Sequence, residues 1–248
     1  MAETELSAPG PATSSFNCHC SSCRHRQHCL PASMNREALD SLDPIVRHSP
    51  TLPAGHHLFR QGEAFKTLFM VHSGSIKTYR DLGDGRSQVL GFYLPGDLLG
   101  LEGMYPGRHC QSAAVLESSS VCRLSLRQLE MLPASANRIQ LRLLDLASRE
   151  LSNTMGRDLE RCVESRMAEF LLDYGKRMAD RGWSAVAYQL AMSRRDMGSY
   201  LGMAPETVSR CLRRLTHLGL VSFDRRAVTI HDPDRLRSVS VEGTAALH

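Results

Sequence analysis

The spacing of apolar residues divides the chain into a β-rich first half and a helical second half. Between residues 52 and 126, short runs of β-forming residues alternate with turns, and ten of the eighteen glycines lie between Gly55 and Gly107. Short strands separated by glycine-bearing turns are typical of an all-β barrel or sandwich. The four clearest strand candidates are residues 68–71, 76–79, 89–93 and 120–124. Glycine and aspartate at residues 82–85 predict a hairpin turn.

Helical periodicity replaces the β pattern from about residue 133. Apolar residues at intervals of three and four predict one helix of roughly 30 residues, about 45 Å long. Its stripe consists of Leu144, Ala147, Leu151, Met155, Leu159 and Cys162. A long helix with a narrow apolar seam favours dimerisation, although the pattern also fits a helix packed lengthwise on its own β domain. Shorter helices are predicted over residues 35–46 and 164–181.

The segment from Ser193 to residue 217 has the pattern of a helix-turn-helix. Ser193 and Asp196 form a capping box that opens a short helix, which ends at Gly202. A second helix begins at Pro205, because proline favours the first helical turn. Residues 218–223 and 227–230 then predict a β-hairpin with a basic tip, which makes this a winged variant.

The second of these helices separates an apolar face from a polar one. The polar face carries residue types that read base edges in DNA, namely Glu206, Ser209, Arg210 and Arg213. Arg194, Arg195 and Arg214 are suited to phosphate contacts, which set affinity and register. An ordinary solvated helix face is the alternative, but five arginines against two acids between residues 194 and 214 favour DNA binding.

The overall composition indicates less about function than the positions of particular residues do. The chain has 248 residues and a formal net charge of +4, which permits nucleic-acid binding without demonstrating it. No apolar stretch is long enough for a signal peptide or a membrane span, so a cytoplasmic location without membrane contact is expected. Thiols stay reduced there, and cysteine clusters then indicate metal or redox chemistry.

Four cysteines fall within twelve residues near the N-terminus, in a polar segment that gives no packing reason for them. Crowded thiolates repel one another unless a cation holds them together, so the segment predicts a metal site or an iron–sulfur cluster. A disulfide knot is the alternative in an oxidising compartment. Nearby histidines also make a zinc site of mixed ligation conceivable. The cysteines are Cys18, Cys20, Cys23 and Cys29, and the histidines are His19, His25 and His28.

The order of a β-roll, a long helix and a winged helix-turn-helix resembles the FNR/CRP family of bacterial transcription regulators. Residues 55–63, 73–77 and 91–100 are similar to stretches of that family. The cysteines are similar to those of its FNR (fumarate and nitrate reduction) branch, which has C-x2-C-x5-C near the N-terminus and one distant cysteine late in the β-roll. This pattern is met by Cys20, Cys23, Cys29 and Cys122.

The resemblance implies an α+β fold with an N-terminal cyclic-nucleotide-binding-like β-roll, a long dimerisation helix and a C-terminal winged helix-turn-helix. The expected divisions are a disordered tail at 1–17, a cluster-binding loop at 18–31, a sensor β-roll at 32–132, a dimerisation helix at 133–162, a DNA-binding domain at 163–240 and a tail at 241–248. The roles of Cys18 and Cys110 are left open, and Cys162 and Cys211 are predicted to be core residues.

The resemblance also implies that Cys20, Cys23, Cys29 and Cys122 hold a [4Fe–4S] cluster, which favours a DNA-binding homodimer without oxygen and is lost in air. Glu206, Ser209 and Arg210 match the FNR pattern E-x-x-S-R, which implies a palindromic DNA site with TTGAT-like half-sites. RNA polymerase is an implied partner. The alternative is a zinc- or thiol-based redox regulator on the same scaffold.

Two other functions are disfavoured. The cyclic-nucleotide branch holds the phosphate with an Arg-Ser pair, and Gln111 stands here in place of that arginine before Ser112. Cyclic AMP is therefore not expected as a ligand. An enzyme is also not expected, because histidines and acids are scattered without a nucleophile–base arrangement, and no phosphate-cradling glycine loop precedes a helix.

Overall fold

The computed structural model describes residues 19–32, 34–132, 137–155 and 161–243, and its first half is a roll of two four-stranded sheets. The strands are β1 (Val46–His48), β2 (His57–Phe59), β3 (Thr67–Ser73), β4 (Ile76–Asp81), β5 (Ser87–Tyr93), β6 (Leu98–Leu99), β7 (Ser112–Val115) and β8 (Ser120–Ser125). One sheet has the order β1-β8-β3-β6 and the other β2-β7-β4-β5, with antiparallel pairing throughout. The predicted strand runs lie within β3, β4, β5 and β8.

The two sheets enclose an apolar core and are joined by tight turns. Phe69, Ile76, Leu99 and Val121 are buried between them. The turn between β4 and β5 uses glycine as predicted, with φ of +80° at Gly83 and +82° at Gly85. A positive φ is accessible to glycine and strained for other residues.

The helices account for most of the second half. They are α1 (Arg36–Leu42), α2 (Leu126–Glu130), α3 (Asn137–Met155), α4 (Val163–Asp180), α5 (Arg194–Leu201), α6 (Pro205–His217) and α7 (Pro233–Glu242). A third sheet has the order β10-β11-β9, from β9 (Ala187–Gln189), β10 (Val221–Asp224) and β11 (Ala227–Ile230). In the described ranges, no helix combines the length and the apolar character that crossing a membrane requires.

The long helix differs from its prediction at its C-terminal end. Among the described residues α3 stops at Met155, and Cys162 is instead the extended N-cap of α4, where its Sγ accepts a hydrogen bond from the N–H of Ser165 at 3.4 Å. Because Cys162 is exposed, the prediction that it belongs to the apolar stripe and the core is wrong. Leu159 and Gly156 lie outside the described residues, as does the predicted N-terminal tail.

The helix-turn-helix half is docked on the β-roll. The ring of Phe92 in β5 lies 5.1 Å from that of Tyr200 in α5. The carboxylate of Asp97 accepts hydrogen bonds from Arg177 on α4 at 2.7 Å and from Arg181, the C-cap of α4, at 2.5 Å. The apolar core of this half consequently continues into β5.

The turn between α5 and α6 depends on the close approach of Gly198 to the backbone. A Cβ at this position would lie 2.6 Å from the carbonyl oxygen of Met203. We expect Gly198→Ala to lower the free energy of unfolding by about 1–3 kcal/mol, because the turn must open to relieve the clash. Thermal unfolding measures the effect, and Arg195→Ala, an exposed change in the same helix, is the control with an effect within about 0.5 kcal/mol. Equal unfolding midpoints for the two variants would contradict the prediction.

Candidate functional site

The cysteine-rich loop is built from successive tight turns. The N–H of Cys23 donates to the carbonyl of Cys20 at 3.4 Å, and the N–H of Cys29 donates to the carbonyl of Arg26 at 3.4 Å. The carboxylate of Asp43 anchors the start of the loop, since it accepts a hydrogen bond from the N–H of Cys20 at 2.6 Å. These turns bring the three cysteines close enough for their charges to interact.

The loop places two of its thiols in the protein interior, beside the distant cysteine. Cys20 and Cys29 are each 9% exposed, Cys122 on β8 is 8% exposed, and all three belong to one apolar core. Cys23 is half-buried at the surface. The structure therefore brings Cys20, Cys29 and Cys122 into the same core, with Cys23 on the adjoining loop.

Burial changes the chemistry of these thiols. It is the main factor that raises the pKa of Cys29 to about 12. Burial, followed by the carboxylate of Asp43, also raises the pKa of Cys20 well above its ordinary value. The raised pKa values favour the protonated thiols, and a metal ion bound beside them would favour the thiolates instead.

Helix α3 links this core to the surface. Ile139 and Leu143 are buried in the same apolar core as Cys20, Cys29 and Cys122. Another face of α3 carries Leu141, Leu144 and Leu151, whose side chains are 61%, 66% and 57% exposed. A row of exposed leucines on one helix face is an apolar surface that lacks a partner within the described chain.

The polar face of α6 is presented to solvent. Glu206, Arg210 and Arg213 are exposed. Ser209 is half-buried, and its hydroxyl donates to the carbonyl of Pro205 at 3.1 Å. The opposite face buries Val208, Cys211, Leu212 and Leu215. The structure thus brings the four predicted base-reading residues onto one helix face.

Comparisons with known proteins agree with this arrangement. Residues 165–239 match the Crp-like helix-turn-helix domain, and residues 50–135 match the cyclic nucleotide-binding domain. The transcriptional activator protein Anr of Pseudomonas protegens is 36% identical over 96% of this chain and 100% of its own. This chain belongs to the CRP/FNR family. The fumarate and nitrate reduction regulatory protein of Escherichia coli K12 is 33% identical over 90% of each chain.

A solved structure also supports the fold. FixK2 from Bradyrhizobium japonicum matches with a TM-score of 0.69 and 29% identity, over 77% of this chain and 96% of its own. The predicted α+β architecture and the resemblance to the family are therefore confirmed. The matched relatives are regulators and not enzymes, as the absence of a catalytic pattern led us to expect.

Arg194 and Arg195 of this CRP/FNR chain lie in the first turn of α5 and not on α6. The guanidinium of Arg194 stacks over the ring of Phe223 in β10, 5.1 Å from its centroid, and burial lowers the pKa of Arg194. Arg195 lines a crevice of about 570 Å³ between α5 and the β-roll, where Lys77 is ion-paired with Asp196. Their predicted phosphate contacts stay predictions.

The position that holds a phosphate in the cyclic-nucleotide branch is occupied differently here. Gln111 and Ser112 are buried, and the hydroxyl of Ser112 accepts a hydrogen bond from the N–H of Gln61 at 3.0 Å. Gln111 carries no charge that would neutralise a phosphate, and the expectation that cyclic AMP is not a ligand stays a prediction.

Two histidines beside Cys122 were missed by the sequence reasoning. Nδ1 of His48 lies 3.3 Å from Sγ of Cys122, and the ring of His72 lies edge-on to that of His48 at 5.4 Å. Residues 48, 72 and 122 are far apart in the sequence and have no common motif. Strand pairing between β1, β8 and β3 brings them together, and a correct sheet order was the signal needed to find them.

Proposed function

We propose that this chain is a DNA-binding transcription activator whose dimerisation responds to oxygen through a [4Fe–4S] cluster held by Cys20, Cys23, Cys29 and Cys122. The observation that carries the proposal is the apolar core in which Cys20, Cys29 and Cys122 lie. This core also contains Ile139 and Leu143 of α3. The named functions of the Anr and fumarate and nitrate reduction relatives support the same function for this chain.

The donor set suits a cluster. Four cysteine thiolates are the usual ligands of a [4Fe–4S] cluster, and here three come from a turn-rich loop and one from a rigid strand. A cluster bound to these four cysteines would supply sensitivity to oxygen.

The cysteine loop controls dimerisation through α3. An ordered loop packs Cys20 and Cys29 against the core that supports Ile139 and Leu143. This packing fixes the position of α3, and it presents Leu144 and Leu151 to a second copy of the chain. When the loop no longer holds the cluster, α3 loses part of that support. Its exposed leucines are then no longer held in one orientation. The dimer therefore forms when the loop is ordered.

The DNA-binding step uses α6 from each protomer. Glu206, Ser209 and Arg210 lie on its exposed or half-buried polar face, where they can enter a major groove. Two copies related by a two-fold axis read a palindrome with TTGAT-like half-sites, whose centres lie about one helical turn apart. RNA polymerase then contacts the bound dimer at the promoter.

Arg210 supplies a direct test of sequence reading. We expect Arg210→Ala to weaken binding to the palindrome by about 1–3 kcal/mol and to relax the preference at one base pair, because arginine makes a bidentate contact with guanine. Fluorescence anisotropy with matched and single-mismatch duplexes measures both effects. Arg214 is the control, since it is predicted to contact a phosphate and not a base, and Arg214→Ala should weaken binding to all duplexes equally. Equal loss across all sequences in Arg210→Ala would show a phosphate contact only.

A further inference from the structure

Three metal-binding side chains meet on one face of the sheet formed by β1, β8 and β3. His48 is directly opposite Cys122 in the β1–β8 pair, and Met70 is opposite Cys122 in the β3–β8 pair. His72 follows Met70 by two residues and so lies on the same face, at a diagonal position. The ligand atoms of His48, His72 and Cys122 all lie within 4.8 Å of one another.

We propose that His48, His72 and Cys122 form a second metal site, which binds one divalent ion of the zinc type when Cys122 is not held by the cluster. Two imidazoles and one thiolate are ligands that suit zinc or cobalt(II). A fourth position remains for a water molecule. On binding, the thiol of Cys122 releases its proton to solvent and becomes the thiolate ligand.

The distances fit a tetrahedral ion with small side-chain movements. Zinc–nitrogen bonds of about 2.0–2.1 Å and a zinc–sulfur bond of about 2.3 Å place neighbouring ligand atoms roughly 3.3–3.6 Å apart. Nδ1 of His48 and Sγ of Cys122 are already 3.3 Å apart. The remaining pairs of ligand atoms lie within 4.8 Å, so each must close by at most about 1.5 Å to reach tetrahedral spacing.

His72 has a ring nitrogen that could bind a metal ion and that makes no hydrogen bond within the described residues. Its Nδ1 is buried, and it has no hydrogen-bond partner among the described residues. A buried polar atom without a partner carries a cost in free energy, which coordination to a metal ion removes. His72 therefore gains from an ion at this position in a way that ordinary packing does not explain.

The second site and the cluster exclude each other, and this part of the inference rests on the proposed function. Cys122 can supply its sulfur to one of them at a time. A chain that has lost its cluster would bind zinc at His48, His72 and Cys122. A chain with an intact cluster would not bind it.

Cobalt(II) is the probe for the test, because its visible absorption reports tetrahedral coordination and thiolate bonding. The full chain carrying Cys20→Ser, Cys23→Ser and Cys29→Ser lacks the three loop thiols proposed as cluster ligands and keeps His48, His72 and Cys122. We expect this variant to bind one cobalt ion per chain, which zinc displaces. Adding His72→Gln should weaken cobalt binding by more than about 100-fold. His56→Gln, an exposed histidine before β2, is the matched control and should change nothing.

No cobalt binding by the folded triple-serine variant would overturn the inference, as would equal binding with and without His72→Gln. If circular dichroism shows that the triple-serine variant does not fold, proton NMR of the intact metal-free chain replaces the titration. Addition of zinc should shift the imidazole resonances of His48 and His72 and leave those of His56 unchanged. Unshifted His48 and His72 resonances would reject the site.

Iron analysis separates this inference from the proposed function. His72→Gln purified without oxygen should keep about four iron and four sulfide per chain, since four thiolates are the proposed cluster ligands. Wild-type protein without iron, together with cobalt binding at the histidines, would reject the cluster and retain the second site. Iron at the expected level without cobalt binding would retain the cluster and reject the second site.

Discussion

Cys23→Ser is expected to abolish cluster binding and leave the fold intact. Anaerobically purified wild-type protein should contain about four iron and four acid-labile sulfide per chain, and the variant less than about one of each. Three thiolates remain in the variant, and serine is a poor ligand for iron in such a cluster. Cys23 is half-buried, so a hydroxyl there costs little stability. DNA binding without oxygen should fall with the iron content.

Cys110→Ser is the matched control for this experiment. Cys110 is also a half-buried cysteine of the described chain, but it lies outside the proposed ligand set. Its replacement should leave the iron, the sulfide and the DNA affinity at wild-type values. If Cys110→Ser lost iron as Cys23→Ser does, or if Cys23→Ser kept a full complement, the ligand assignment would be wrong.

Replacing Leu144 and Leu151 with aspartate is expected to give a monomer with weak DNA binding. The two side chains are 66% and 57% exposed on one face of α3, and a dimer would bury them. Aspartate there places unpaired charges in an apolar interface, which is costly. Loss of the second half-site contact should lower affinity for the palindrome by about 10²–10⁴-fold, because the two DNA-binding units no longer act together.

Sedimentation of the anaerobic protein and anisotropy with the palindrome measure these two effects. Arg149→Ser is the control, since it makes the same change of one unit of charge per substitution on α3 without removing an apolar side chain. Arg149 is exposed, and its ion pair among the described residues is with Asp145 at 3.4 Å, an interaction worth little at the surface. A double aspartate variant that stays dimeric would mean that α3 packs on its own chain alone.

The local elements that follow simple rules were predictable from the sequence. The capping box of Ser193 and Asp196, the start of α6 at Pro205 and the glycine turn after β4 all form as predicted. Each depends on residues within a few positions of one another. The burial of Leu212 on α6 is likewise set by helical spacing.

Features set by tertiary contacts were not predictable in the same way. The first helix ends at Leu42 instead of continuing to Val46, because Val46 pairs with Leu124 as the start of β1. Cys162 matches the apolar spacing of α3 but serves as the N-cap of α4. Periodicity cannot distinguish a buried helical cysteine from a capping one.

The candidate site was predictable in its cysteines and unpredictable in its surroundings. The spacing of Cys20, Cys23 and Cys29 indicated a metal or cluster, while Cys122 was found only by resemblance to a family. The contact between this core and α3, and the position of His48 and His72, depend on strand order and on packing between distant segments. No pattern along the chain encodes either feature.

The most direct measurement follows colour and DNA binding together in one anaerobic sample as air is admitted. Protein bound to a labelled TTGAT-type palindrome is monitored by visible absorbance and by fluorescence anisotropy. We expect a brown protein whose absorbance and DNA binding are lost at the same rate. A colourless protein with zinc or no metal would contradict the proposed function, and so would DNA binding that persists unchanged while the colour bleaches.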